Sequence, residues 1–269
     1  MAVNRVAFRR PRRLIGGRQA DRHSSWYLEL VQVSEPTCSC FHRTEEGWRD
    51  VRFHDEVQDT DCDAWKRLTD LGEEAALDGR EEFAPFESIT GEQRAQIVTL
   101  PPSIAKLRSV THLLLYGTFL VRIPREIGDM SSLQRFTPYT SWRLHWLPYE
   151  ITRCKKLIVS TISTRCLYGN VKYRPPFPSL PVSSDQLAAI TDRNLSLDQG
   201  ARVSCSVCEK PCLGPITQVW TSLRVGTDVV PLLVTACSRL CIEAVPTPHD
   251  DYVPYAHTGG LNLKQPPPS

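Results

Sequence analysis

The sequence predicts an α/β protein: a short right-handed solenoid of about three rungs, covered by helices at its first edge and followed by a small cysteine-stapled module. Three observations lead there. Pro101, Pro124 and Pro148 recur together with Ile104, Ile127 and Ile151, with Leu107, Met130 and Cys154, and with Val110, Leu133 and Leu157. All four columns share spacings of 23 and 24 residues, and units of that length bury an apolar edge only against their neighbours. Two helix starts precede the repeats, and two close cysteine pairs follow them.

The helical cap comes first in the chain. Asp61 and Asp63 flank Cys62 ahead of Ala64, Trp65, Leu68, Leu71, Ala75 and Ala76, which recur at helical spacing. Acidic groups suit the N-cap and the positive end of the helix dipole, and Gly79 supplies a stop. Thr90 and Gln93 form a capping box for a second helix. Both helices are expected to cover the first edge of the solenoid, which would otherwise expose apolar surface and unpaired strand atoms.

Within the repeats, Val110-x-x-Leu113-x-Leu115-x-x-Thr118-x-Leu120-x-x-Ile123-Pro124-x-x-Ile127 resembles a leucine-rich repeat with the Ile-Pro-x-x-Ile type of convex side. A second unit runs Leu133-x-x-Phe136-x-Pro138, then Leu144, Leu147, Pro148 and Ile151, and a third runs from Leu157 through Ile162 to Leu167. The chain departs from the family at Thr118, Ser141 and Arg165, where the family has an asparagine bonded to the neighbouring turn. It departs again at Pro138, which cannot donate to a ladder. The resemblance implies a protein-binding array.

Strand alternation selects the surface that a partner would touch. With Val110, Leu113 and Leu115 inward, His112, Leu114 and Tyr116 face outward from the concave sheet. Arg135, Thr137 and Tyr139 take the same places one rung along, and Val159, Thr161 and Ser163 follow. Tyr116 and Tyr139 should therefore sit about 5 Å apart, on adjacent rungs. Tyrosine and arginine are enriched at interface hot spots. Trp142 and Trp146 join this candidate surface as partner-facing anchors, or else form a satellite core under the segment from Gly169 onwards.

Beyond Tyr168 the repeat gives way to Tyr173-Arg174-Pro175-Pro176-Phe177-Pro178-Ser179-Leu180-Pro181, which favours an extended strap or linker over a helix. Residues 183–195 have weak helical character. Cys205 and Cys208 then form a Cys-x2-Cys pair, and Cys237 and Cys241 a Cys-x3-Cys pair. Two short loops that each present two sulfurs suit a tetrahedral zinc ion, and four cysteine ligands leave no open position, so the site would be structural. The second pair resembles the Cys-Ser-x-x-Cys knuckle of treble-clef fingers of the MYM and FCS types. In those families an apolar strand leads into the knuckle, as residues 229–234 would here; Ala236 stands where they have an aromatic. Cys212 is either an alternative ligand or a bystander. A module of this size cannot bury enough core unaided, so chelation is expected to melt residues 203–245 and spare the repeats.

The reading divides the chain into a poorly ordered N-terminal region (1–57), a helical cap (58–99), repeats (100–170), a proline-rich strap with a short helix (171–200), a zinc module (201–247) and a tail (248–269). Arg5, Arg9, Arg10, Arg12, Arg13 and Arg18 precede the first acid, Asp21, without an apolar run; a solvated tail, a presequence and a phosphate-binding arm share that composition. Residues 26–33 and 51–53 have weak strand character, and Cys38, Cys40 and His42 are too isolated to form a site.

The expected function is a non-catalytic, cytoplasmic protein–protein interaction module with an unidentified protein partner and no membrane span. A net charge of +2 excludes a strongly basic nucleic-acid protein. A zinc-ribbon nucleic-acid binder is the less favoured alternative, because Lys210, Arg224 and Arg239 are balanced by Glu209, Asp228 and Glu243. An enzyme of unrecognised type is the other alternative; the sequence has no P-loop, Gly-x-Ser-x-Gly or His-Glu-x-x-His motif.

Overall fold

The computed structural model describes residues 51, 53–54, 56–163, 167–180 and 203–267. The expectations for residues 1–50 and for a helix at 183–195 lie outside them. The described chain is mixed α/β and holds two small sheets. No helix among the described residues is long and apolar enough to cross a membrane.

Helix α1 spans Asp63–Asp78 and buries Ala64, Trp65, Leu68, Leu71 and Ala75. Its N-cap is Cys62, whose sulfur accepts from the Trp65 N–H, and Gly79 ends it in the left-handed conformation. The Thr90–Gln93 capping box forms as expected, but the helix it opens, α2, is a single turn over Gly91–Arg94. Lys106 Nζ bonds Glu73 at 2.7 Å, tying α1 to the 3-10 turn at Pro102–Lys106.

Four short strands form one parallel sheet in the order β1 (Glu82–Phe83), β2 (His112–Leu114), β3 (Arg135–Thr137) and β5 (Val159–Ser160). The register places His112 beside Arg135 and Arg135 beside Val159, one repeat spacing apart in each case. Opposite the strands, 3-10 turns follow each repeat proline, over Pro102–Lys106, Arg125–Asp129 and Tyr149–Arg153. Between strands and turns the periodic aliphatics are sealed: Ile104, Leu107, Val110, Ile127, Met130, Leu133 and Ile151 share one core. Burying such side chains contributes about 2 kcal/mol each before entropy is counted.

Side-chain hydroxyls bond the backbone of successive turns to one another. Ser141 Oγ donates to the Leu115 carbonyl at 2.9 Å, accepts from the Thr118 N–H at 3.3 Å and meets Thr118 Oγ1 at 2.7 Å. One rung along, Ser163 Oγ accepts from the Thr140 N–H at 2.7 Å. Pro138 does no harm, because β3 ends at Thr137 and the next cross-rung donor, Gly117 N–H, takes the Tyr139 carbonyl.

The second sheet has the order β4-β7-β6. Strands β6 (Thr217–Val225) and β7 (Asp228–Ala236) form an antiparallel hairpin, and β7 also pairs in parallel with β4 (Leu147–Pro148). One hairpin face, with Val219, Val225, Val230, Leu232 and Val234, enters the same core as the repeats. The other, with Trp220 and Leu233, enters a second core with Trp146, Tyr168, Phe177 and Leu180. Burial on both faces explains the nearly continuous apolar character of β7. The hairpin therefore shares its core with the repeats, and the separate melting expected for residues 203–245 does not follow from this packing.

The hairpin turn reaches the last strand of the first sheet. Ser160 lies in register with Phe136, itself beside Leu113, and so puts a hydroxyl where earlier strands put apolar groups. That hydroxyl meets the Val225 carbonyl and Asp228 Oδ2 at 2.6 Å each and accepts from the Thr227 N–H at 3.2 Å. Gly226 has φ of +60°, and a Cβ there would lie 2.8 Å from the Ser160 nitrogen, so only glycine fits.

The proline-rich segment is a strap on the outer face of the hairpin. Trp220 Nε1 donates to the Pro178 carbonyl at 3.0 Å, and the Leu180 N–H bonds the Thr258 carbonyl. Packing also extends back before residue 58. Phe53 stacks on Trp220 with centroids 5.2 Å apart, and Arg143 pairs with Glu56. Val51 and Phe53 lie in no strand.

Replacing Ser141 with Ala strands the buried Thr118 N–H and Leu115 carbonyl. It should cost about 2 kcal/mol in urea unfolding, read as a Tm loss of about 4–8 °C. A loss below about 0.5 kcal/mol would show that the hydroxyl ladder contributes little.

Candidate functional site

Two short backbone turns create the cysteine cluster. At Cys205 the chain doubles back: Cys205 N–H bonds the Lys210 carbonyl, Glu209 N–H bonds the Cys205 carbonyl, and Cys212 N–H bonds the Val203 carbonyl. Glu209 takes the left-handed conformation, φ +63°, to close the turn. Strand β7 delivers Cys237, and Ser238 caps the short helix α3 (Arg239–Glu243), which carries Cys241.

The hairpin thereby brings together four thiols from the two ends of a 37-residue stretch, 205 to 241. The sulfurs of Cys205, Cys208, Cys237 and Cys241 all lie within 4.8 Å of one another. Cys208 and Cys237 are 3.6 Å apart, and Cys237 and Cys241 3.7 Å. Tetrahedral bonds of about 2.3 Å place sulfurs about 3.8 Å apart, so these positions can hold a metal ion and are compatible with zinc. No disulfide joins them. Cys212 stands outside the cluster.

Electrostatics favour a cation here. Burial opposes ionisation of Cys205, but the backbone N–H groups of Cys208, Cys237 and Val207 and the Cys208 thiol outweigh it and bring its pKa down to about 6. Hydrogen bonds to Cys208 and Cys241, with some burial and the Cys205 thiolate, push the Cys237 thiol up to about 12. Thiols this close cannot all ionise without a positive charge among them, and a divalent cation removes that conflict.

The cluster rests on the 3-10 side of the repeats. Arg125 Nη2 donates to Ser204 O and to Glu150 Oε1, at 2.8 Å each. Arg153 Nη2 donates to Ser206 O at 3.0 Å, and Ser206 Oγ donates to Glu150 Oε1 at 2.9 Å. Glu150 is 3% exposed. No pattern of residues marks this quartet, because charges just after a repeat proline read as solvated surface.

The other candidate residues occupy the open face of the parallel sheet. Tyr116 and Tyr139 are adjacent, with centroids 5.8 Å apart, and Tyr139 is 42% exposed. His112 bridges Glu82 at 2.8 Å and Thr137 at 3.0 Å. Leu114 and Thr137 are half-buried and Arg135 is exposed. Trp142 is half-buried, whereas Trp146 is 8% exposed and belongs to the second core. Trp146 is thus a satellite-core residue and not a partner-facing anchor, because the Trp220 face of the hairpin lies over it at 6.1 Å. His145, 1% exposed, lies between the rings of His54 and Tyr168.

Comparison with protein-family models and with curated proteins finds no match for this chain.

Cobalt(II) added to the full chain should give the intense sulfur-to-metal absorption of a four-thiolate site, and Cys237→Ser should remove it. Because the ligands are thiolates, affinity should fall as pH drops. In metal-free protein the Cys205 pKa is depressed from 9.0 to about 6, so its contribution to stability is complete above about pH 9 and lost as pH falls through 6. Cobalt absorption unchanged by Cys237→Ser would refute the four-ligand site.

Proposed function

We propose that the chain is a non-catalytic protein–protein interaction module: a short leucine-rich-repeat solenoid with a structural zinc ion, binding a protein partner through its concave face. The observation that carries the reading is the strand register. It stacks His112 beside Arg135 and Leu114 beside Thr137, and it sets Tyr116 against Tyr139, forming rows of outward side chains on a rigid sheet. Rigid aromatic and arginine side chains on an ordered frame lose little entropy on binding, which is why they serve as hot spots.

Support for the repeat reading comes from parallel strands paired at the repeat spacing and from a 3-10 turn behind each repeat proline. The Thr118–Ser141 hydroxyl pair stands in for the family's asparagine. Zinc is favoured among metals because four sulfur donors in two short loops suit a soft-tolerant tetrahedral ion, and a closed site does no chemistry of its own.

A photo-crosslinking residue placed at Tyr139 should capture a specific protein in cells, while one at Leu77, 88% exposed on α1, should not. Tyr116→Ala with Tyr139→Ala should abolish that partner's recovery without lowering Tm by more than a few degrees. Equal capture from both positions, or undiminished recovery by the double variant, would refute the concave-face reading.

A further inference from the structure

The metal loop is held by the repeats themselves, through bonds to the peptides that flank Cys205. Arg125 and Arg153 belong to successive 3-10 turns, and their guanidiniums take the carbonyls on either side of Cys205: Ser204 O at 2.8 Å and Ser206 O at 3.0 Å. In a trans peptide the carbonyl and the N–H point in opposite directions. Arg153 holds the Ser206 carbonyl toward the repeats and so fixes the turn that leads to Cys208, whose N–H donates to the Cys205 sulfur at 3.5 Å. Arg125 acts likewise on the Ser204–Cys205 peptide, whose N–H goes to the Lys210 carbonyl and closes the turn.

Glu150 joins the two grips. It accepts from Arg125 and from Ser206 Oγ. Ser206 and Thr235 exchange further bonds: Ser206 N–H to the Thr235 carbonyl at 2.7 Å, and Thr235 N–H to Ser206 Oγ at 3.0 Å. Thr235 is two residues before Cys237, so one polar network fixes the backbone of both cysteine pairs against two rungs. At the other end of the hairpin, its turn is received by Ser160 on the last strand.

We propose that Arg125 and Arg153, joined by Glu150, are positioning residues for the metal loop, so that cation binding and closure of the last repeat by the hairpin are one equilibrium. The proposal rests on the metal reading above. It makes the metal a regulator of the array, because whatever favours the bound cation favours the closed edge, and the converse holds by linkage. Withdrawal of the metal loosens the base of the hairpin and, because the hairpin shares its core with the repeats, weakens the last strand at Val159 and Ser160 with it.

The test uses the whole 269-residue chain loaded with zinc and a chromogenic chelator that reports zinc transfer. Arg125→Met and Arg153→Met should each weaken zinc retention tenfold or more, the range for residues that orient metal ligands. Arg239→Met, altering an exposed side chain on α3 that pairs with Glu243, should leave it unchanged. Arg125 bonds Glu150 and Ser204 through one nitrogen, Nη2, so Arg125→Lys, which keeps the charge and a multiple donor, should retain more zinc than Arg125→Met. The cobalt spectrum separates weakened binding from a lost site: a four-thiolate spectrum at saturating cobalt shows that the module still folds. In wild type, chelation should speed hydrogen exchange at Val159 and Thr161, whose amides donate to Gln134 and Phe136 across the last rung. Unchanged retention in both Met variants, or exchange at Val159 and Thr161 indifferent to chelation, overturns the clamp while leaving the metal site standing. A wild-type chain that takes up no zinc overturns both.

Discussion

The structure turns on how the last repeat is closed. The repeat aliphatics share one core, and Val159–Ser160 is the last strand of the parallel sheet among the described residues. The β6–β7 hairpin supplies the covering surface. Its Val219 and Val234 face completes the apolar core, and Gly226 brings its turn onto Ser160 where no side chain could fit. Strand β4 pairs with β7 on the opposite side, so the hairpin is attached at both ends of the last unit. At the first edge α1 plays the same part with a simpler device: Trp65, Leu68 and Leu71 seal the core.

That closure gives the cysteines their setting. A hairpin alone is marginal, and this one needs both of its faces covered. The repeats cover one face; Trp146, Phe177, Leu180 and the strap cover the other, with Phe53 stacked against Trp220. The base of the hairpin, where β6 and β7 diverge, is where four thiols converge. Buried Glu150 is tolerated beneath them because Arg125 and Ser206 satisfy its Oε1. Cys154, by contrast, fills a core position; burial above all pushes its thiol up to about 12, and its sulfur donates to the Ile127 carbonyl.

Much of this was legible in the residues, for stated reasons. The columns through Ile104 and Ile127 fixed the spacing of strands and turns, since only that period buries them together. Alternation placed His112, Arg135, Tyr116 and Tyr139 on one face, and the two cysteine pairs identified the cluster. The capping box at Thr90 was visible, but its helix stops after one turn. Strand β1 escaped notice because Glu82–Phe83 is too short to show alternation. Strand β6 escaped because Thr217–Val225 is buried on both faces and shows little period. Arg125, Glu150 and Arg153 escaped because a sequence carries no sign that a charged turn residue is covered by chain from 50 or more positions away.

The central structural claim is that the hairpin and the repeats fold as one unit. Urea unfolding with residue-resolved thiol labelling tests it most directly. Cys154 reports the middle of the repeats, and Cys208 and Cys241 report the base of the hairpin. The account predicts that all three become reactive at the same urea midpoint in metal-loaded protein. Labelling of Cys208 and Cys241 at a clearly lower midpoint, with Cys154 still protected, would contradict it.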